Sequence, residues 1–322
     1  MSIRVSVVVP TYQRPDLLRK CLHALIRQDF PGDEYEIIVV DDAGSEATRS
    51  LAEQVSAEAG TRICYAAATL TRGPAAARNL GWRMARGAVI AFTDDDCLPE
   101  PGWLREGIAA LREDLAGVSG KVIVPVASPP SDYEKNVARL NECEFVTANC
   151  FYRRAALEAC GGFDERFTTA WREDSDLQFR MLTLSYRLGR APAARVVHPV
   201  RPAPWGVSIK EQRKSMFNAL LFKKYPDLYR GLIGADTPLR YYAIVLLTVG
   251  FFAALVLGSP TLAALMAWIW LGLILHFIFQ RLRGTRRTPS HILEMLFTSI
   301  VIPYLSVFWR LRGAVLYRVW FF

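Results

Sequence analysis

Through the first two hundred residues, short apolar runs alternate with stretches whose apolar positions recur every three or four residues. Residues 3–9 form an apolar run closed by Pro10, and between Asp16 and Gln28 the positions Leu17, Leu18, Cys21, Leu22 and Leu25 take helical spacing. The same reading predicts a strand over 35–40 that ends in Asp41-Asp42, a helix over 47–59 and a strand over 62–66. A helix over 74–86 and an uncharged strand over 88–93 follow, and that strand runs into Asp94-Asp95-Asp96. Later strands are expected at 118–124, 144–152 and 194–197, with a loop over 125–130 and a helix over 177–184 opened by Glu173-Asp174-Ser175-Asp176. Such alternation predicts a doubly wound, mainly parallel α/β sheet.

Beyond residue 240 the pattern changes. Residues 241–280 contain no Asp, Glu, Lys or Arg. Two apolar stretches, 241–257 and 261–279, are joined by Gly258-Ser259-Pro260, and each is near the ~20 residues that cross a bilayer. A helical hairpin apolar on every face needs either lipid or protein all round it, and little chain remains to supply protein. A membrane hairpin is therefore expected. Arg281, Arg283, Arg286 and Arg287 follow it at once, which places that loop, and with it the amino-terminal domain, on the cytoplasmic side of an inner (cytoplasmic) membrane. The third apolar stretch, 292–309, contains Glu294 and Pro303 and is followed by Arg310, Arg312 and Arg318. It is expected to lie in the interface with its arginines near lipid phosphates, a third crossing being the alternative. Three segments result: a domain over 1–200, a basic amphipathic connector at the membrane surface over 201–238, and a membrane region over 239–322. In the connector Met216, Phe217, Leu220, Leu221 and Phe222 stand among Lys210, Arg213, Lys214, Lys223 and Lys224.

Charge supports that division. The net charge is +8, but residues 1–236 hold 31 of the 39 basic and 30 of the 31 acidic residues. The basic excess belongs to the tail and does not point to nucleic acid. Six scattered cysteines suggest neither a zinc site nor a disulfide frame. A strand pattern directly after Met1, without an apolar signal segment, keeps the first 236 residues in a reducing cytoplasm.

Three carboxylates at the carboxyl end of a buried strand repel one another unless a cation neutralises them. Ligands of open α/β sheets bind at that edge. Asp94 and Asp96, a DxD, are therefore read as oxygen ligands for Mg²⁺ or Mn²⁺ bridging to phosphate. Asp41-Asp42 opens on the same edge and can accept hydrogen bonds from a base or ribose, or simply shape a turn before Gly44. Pro10-Thr11-Tyr12 offers an aromatic wall for a base. Arg72-Gly73-Pro74-Ala75-Ala76-Ala77-Arg78-Asn79 opens a small-residue helix whose start favours phosphate, and Arg78 could reach a pyrophosphate or simply face solvent. His198 reads equally as a packed side chain and as a further Mn²⁺ ligand.

Taken in order, these residues resemble glycosyltransferase family 2, the inverting enzymes of GT-A fold. The matching elements are residues 5–12, Val39-Val40-Asp41-Asp42, the segment 73–81, Asp94-Asp95-Asp96, the run 148–154, Gly161-Gly162-Phe163-Asp164-Glu165, Arg172-Glu173-Asp174 and His198. The resemblance covers about residues 3–200 and implies a GT-A catalytic domain that takes a nucleotide-sugar donor. By it, Pro10, Tyr12, Asp42 and Arg78, with Asp41 beside them, would hold the nucleotide. Asp96 and His198 would bind the metal, and Asp94 or Asp95 would contact ribose or metal. Asn149 and the Gly161-Gly162 turn would lie near the donor sugar. Asp174, or less favourably Glu173, would be the base. UDP is the default nucleotide by family frequency, with GDP and dTDP open. The QxxRW box of polymer-forming members is missing, since Gln178-Phe179-Arg180-Met181 does not match it, which implies transfer of a single sugar. A membrane tail makes a lipid-linked acceptor attractive beside a glycan one. The competing readings are a sugar nucleotidyltransferase, although Thr11-Tyr12-Gln13-Arg14-Pro15 lacks its glycine-rich loop, and a non-catalytic membrane protein of the same fold.

Overall fold

A computed structural model describes residues 2–59, 61–68, 73–234 and 238–321. The elements run β1 (Val5–Thr11), α1 (Pro15–Leu25), β2 (Tyr35–Asp41), α2 (Glu46–Glu58), β3 (Arg62–Ala67), α3 (Pro74–Met84), β4 (Val89–Phe92) and β5 (Leu98–Pro99). Next come α4 (Trp103–Ala110), β6 (Gly117–Ile123), α5 (Asp132–Val137), β7 (Cys150–Arg153), α6 (Arg154–Cys160), α7 (Glu173–Thr183) and β8 (Leu188–Val197). The remainder is helical: α8 (Val207–Glu211), α9 (Met216–Lys224), α10 (Pro226–Leu232), α11 (Leu239–Val256), α12 (Pro260–Leu282) and α13 (Pro289–Tyr317). The chain forms two compact units, one of residues 1–125 and 138–200, the other of 126–137 and 201–322. The expected connector is thus part of the second unit, and so is α5, an element the sequence did not announce.

The first unit is built on an eight-stranded sheet of order β3-β2-β1-β4-β7-β6-β8-β5. β3, β2, β1 and β4 are parallel, β7 is antiparallel to both neighbours, and β5 is antiparallel to β8. The parallel half follows from composition. Val5, Val7, Val8, Val9, Ile37, Ile38, Val39 and Val40 are all buried, as strands covered on both faces must be. Helix α1 buries Leu18, Cys21, Leu22 and Leu25, one stripe at helical spacing, and Pro15 starts it without loss of a needed donor. Gly81 of α3 lies so close to β1 that an added Cβ would stand 2.4 Å from Val8, so the helix rests directly on the sheet edge that matters.

Two strand expectations need correction. Pro10 does not close β1, which continues through Thr11 with Pro10 opposite Val40. Pairing with β4 stops at Val8, so the missing N–H of Pro10 faces no partner on that side. The strand expected over 144–152 shrinks to β7. Phe145, Val146 and Ala148 are buried, but in a turn over the sheet, where Phe145 takes a positive φ and its N–H is held by Ser119 Oγ at 2.8 Å.

In the second unit, α11, α12 and α13 are each long and apolar enough to cross a membrane. Polar side chains tie them together. Tyr304 of α13 shares its hydroxyl with Thr248 of α11 at 2.7 Å and accepts from Trp270 Nε1 of α12 at 3.0 Å. Arg281, at the end of α12, is buried. It donates to Asp132 of α5 at 2.7 Å, Thr298 and Ser299 of α13 at 2.6 and 3.1 Å, and Ser208 of α8 at 3.2 Å. Helix α13 continues unbroken through Pro303 for 29 residues. Its C-terminal half runs along the basic helices. Arg213 stacks over Trp309, Lys223 donates to the Tyr317 carbonyl at 2.8 Å, and Gly313 sits against the Met216 backbone, where a Cβ would come within 2.5 Å of the carbonyl oxygen. Leu293, Phe297, Ile300, Phe308 and Val315 line an exposed stripe on the helix.

Candidate active site

The aspartate cluster follows β4 in a turn that splits it. Asp95 turns inward, accepting from Thr11 Oγ1 at 2.7 Å and Arg14 Nη1 at 3.0 Å. Burial pushes its carboxyl up to about 6, against the pull of Arg14 and Thr11. It therefore locks the cluster to the end of β1. Asp94 and Asp96 point the other way. Together with Cys97 and His198 they place their ligand atoms all within 4.8 Å of one another. Asp96 Oδ1 lies 3.7 Å from His198 Nε2. His198 arrives because β5 and β8 pair antiparallel, with Leu98 opposite Val197.

Carboxylates, an imidazole and a thiol within one ion's reach suit a divalent cation. His198 Nδ1 is buried without a partner, so the ring is not held in place by a structural bond of its own. Three other buried atoms without partners lie in the same neighbourhood: Thr93 Oγ1, Arg78 Nε and Glu173 Oε2. A native interior seldom leaves such groups unsatisfied unless something else completes them.

Arg78 is neither solvent-facing nor free. Buried on α3, it bridges Asp94 Oδ1 at 2.7 Å and Glu173 Oε1 at 2.9 Å. An arginine in a run of buried alanines needs a carboxylate, and the sequence signal for this bridge was the acid pair at 173–174. Glu173, almost wholly buried and spent on Arg78, is the less accessible of that pair; Asp174 is half-buried. Burial raises both carboxyls above the usual range, and the charge of Asp174 raises Glu173 further while Arg78 opposes. Asp174 accepts from the Ser175 N–H at 2.6 Å. The turn that delivers the pair has Arg172 at a positive φ, with its guanidinium stacked on Trp171.

Three residues expected at the donor make structural contacts. Asp41 is fully buried and spends its oxygens on the N–H groups of Ala43 and Ser45, at 2.9 and 2.7 Å, and on Tyr65. Asn149 is fully buried as well. It donates to the carbonyls of Lys121 and Ala194 and accepts from Trp103 Nε1, fastening β6, β8 and α4. Gly162 has a positive φ and abuts Asn79 and Trp82, where a Cβ would stand 2.5 Å from Asn79 Oδ1. Asn79 in turn clasps the backbone of Phe163. Asp42 accepts from the Gly73 N–H at 2.9 Å and so clips the start of α3 to the end of β2. Gly73 must be glycine, with φ +105° and the Thr168 carbonyl against its Cα. Pro10 is half-buried and Tyr12 is exposed beyond β1. Arg72 lies outside the described residues.

Two family models match the chain: Glycosyl transferase family 2 over residues 6–163, and Glycosyl transferase family group 2 over residues 89–311, more than half of its length. The chain belongs to glycosyltransferase family 2. It is 28% identical to the glycosyltransferase AglE of Haloferax volcanii over 65% of this chain and 70% of that protein. It is 36% identical to the validoxylamine A glucosyltransferase of Streptomyces hygroscopicus subsp. limoneus over 72% of this chain, but spans only 59% of that enzyme. Against the poly(ribitol-phosphate) β-glucosyltransferase of Bacillus spizizenii it spans 15% of the relative. In fold it is similar to the mannosyltransferase PcManGT of Pyrobaculum calidifontis, solved with GDP-Man and Mn²⁺. The TM-score is 0.60 at 22% identity, over 96% of this chain and 88% of that one. The glycosyltransferase is thus of GT-A type, with a mixed, mostly parallel sheet followed by three apolar helices, and family membership sets aside the nucleotidyltransferase reading.

Proposed function

We propose that this family 2 enzyme transfers a single sugar, with inversion, from a nucleoside-diphosphate sugar to an acceptor held at the membrane, and that it does so with a divalent cation. The observation that carries the reading is the convergence of Asp94, Asp96 and His198 at the carboxyl edge of β4. A bound Mn²⁺ or Mg²⁺ would neutralise the diphosphate as the glycosidic bond breaks. Tyr12 would flank the base, with Pro10 behind it. Asp42 would line the nucleotide end of the crevice. Arg78, fixed between Asp94 and Glu173, would lend positive charge to the pyrophosphate through its unpartnered edge. Asp174 would remove the proton of an attacking hydroxyl from the face opposite the leaving group, giving inversion. Glu173 would hold Arg78 and keep it charged. A lipid phosphate acceptor arrives already anionic, and Asp174 would then orient it rather than deprotonate it.

The donor is taken to be a UDP-sugar, with GDP and dTDP as the alternatives. Thermal unfolding with UDP, GDP and dTDP, each with and without Mn²⁺, tests this directly. The cognate nucleotide raises the melting temperature by mass action, and more so with metal. Equal shifts with Mn²⁺ and with chelator would end the metal reading. A protein on which no nucleotide acts would instead favour a non-catalytic role.

For the second unit we read α11 and α12 as a crossing hairpin in the cytoplasmic membrane, with the catalytic unit on the cytoplasmic side because Arg283, Arg286 and Arg287 follow α12 exposed. The C-terminal half of α13 is read as interfacial, beyond the point where Tyr304 reaches Thr248 and Trp270. Its flank is taken up by α8, α9 and the turn between them, whose exposed Lys210, Lys223 and Arg213 belong at lipid phosphates rather than in hydrocarbon. Cysteine labelling from either side of sealed vesicles at positions 258 and 320 tests it. Position 258 should label from the far side alone, and position 320 from the side of the catalytic unit.

A further inference from the structure

The metal-site expectation named two carboxylates and an imidazole; the structure adds a thiol. We propose that Cys97 is a further ligand of the same ion through its sulfur, and that it biases the site toward Mn²⁺, Co²⁺ or Zn²⁺ and away from Mg²⁺. This rests on the metal reading above and sharpens it. Cys97 Sγ lies 4.0 Å from Asp96 Oδ1, and that oxygen lies 3.7 Å from His198 Nε2. Ligands held at about 2.0–2.4 Å from one ion stand about 3–4.5 Å apart, so these spacings belong to neighbours in a single coordination sphere.

The placement follows from the strand register. β5 and β8 pair antiparallel with Leu98 opposite Val197 and Pro99 opposite Val196. One step further along that register sets Cys97 opposite His198. The two-residue strand β5 therefore brings both side chains to one point, directly after Asp96. Cys97 is fully buried, with its sulfur toward the Asp96 carboxylate. Cys21 provides a contrast. Its sulfur donates to the Asp94 carbonyl at 3.5 Å, outside the ligand cluster.

The chemistry then sets the preference. Mg²⁺ takes hard oxygen ligands in near-ideal octahedral geometry, whereas thiolate and imidazole rank the later first-row ions higher. On binding, the Cys97 thiol would give its proton to solvent and its sulfur lone pair to the ion. No electron is transferred.

The test uses the full-length protein in detergent, loaded with Co²⁺. Wild type should show visible d–d bands with a sulfur-to-cobalt charge-transfer band in the near ultraviolet. Cys97→Ala and Cys97→Ser should each keep the d–d bands and lose the charge-transfer band, while Cys21→Ser keeps both. The excess of Mg²⁺ needed to displace Co²⁺ should fall about tenfold or more in Cys97→Ala. Matching thermal unfolding curves without metal would establish that the variants are folded. Cobalt bound through Asp96 without a near-ultraviolet band overturns the assignment of Cys97 alone. A protein with no d–d bands, indistinguishable from Asp96→Asn, overturns the metal reading and this inference with it.

Discussion

Among the described residues, each unit of this chain buries one arginine among partners, and the two are satisfied to different degrees. In the second unit Arg281 shares each terminal nitrogen between two acceptors: Thr298 and Ser299 on one, Asp132 and Ser208 on the other. In the catalytic unit Arg78 makes one bond per terminal nitrogen, to Glu173 and Asp94, and leaves Nε without a partner. Glu173 leaves Oε2 equally unsatisfied. A saturated buried cation is a fastening, which holds α5, α8, α12 and α13 together. Arg78, less fully bonded, leaves a donor open beside the candidate metal ligands.

The contrast is breakable by mutation, and the largest effect should be chemical. Asp96→Asn and Asp174→Asn should each lower transfer to a hydroxyl acceptor by about a thousandfold, in the range of a lost acid–base or electrostatic group, while the unfolding curve stays in place. Radiolabelled transfer assays beside calorimetry would separate the two readouts. Wild-type turnover should also show an acid limb. Burial raises the Asp174 carboxyl, and only its ionised form accepts a proton, so activity is lost as pH falls through that raised value. The limb should sit above the ordinary aspartate value of about 4. A limb at the ordinary value would mean that Asp174 is not the titrating base.

Arg281→Leu should act the other way, on stability. Removing one partner of a buried pair leaves Asp132 uncompensated and should cost about 3–5 kcal/mol in detergent unfolding, much of it restored in the double variant with Asp132→Leu. If the single and double variants unfold together, Arg281 is no fastening. Asn149→Ala should cost about 1–3 kcal/mol through its three lost bonds while leaving the donor KM unchanged. A raised KM at full stability would return Asn149 to the donor pocket. Tyr304→Phe should be the mildest, about 0.6 kcal/mol per lost bond, measured against wild type in the same micelles.

The parallel half of the sheet was legible because its strands are uninterrupted apolar runs that end in Asp41-Asp42 and Asp94-Asp95-Asp96. The antiparallel half was less so. Residues 144–149 carry strand-like residues that are buried in a turn, and apolar content alone does not distinguish the two. At the site, Asp94, Asp96 and His198 meet, a grouping that the family resemblance implied and that residue type alone left open. Asp41 and Asn149 make structural bonds that the sequence did not announce, since residue type does not say which atoms a fold has already used. Cys97 was passed over because a lone cysteine has no spacing signature, and only the β5–β8 register reveals its neighbour.

One contact in the second unit has a mechanical corollary. Gly313 allows α13 to touch the Met216 backbone, with no side chain between them to act as a bearing. The two helices cannot roll past one another there. Any rotation of the apolar stripe from Leu293 to Val315 must therefore turn Lys223 and Arg213 with it, so oily and cationic faces tilt as one plate.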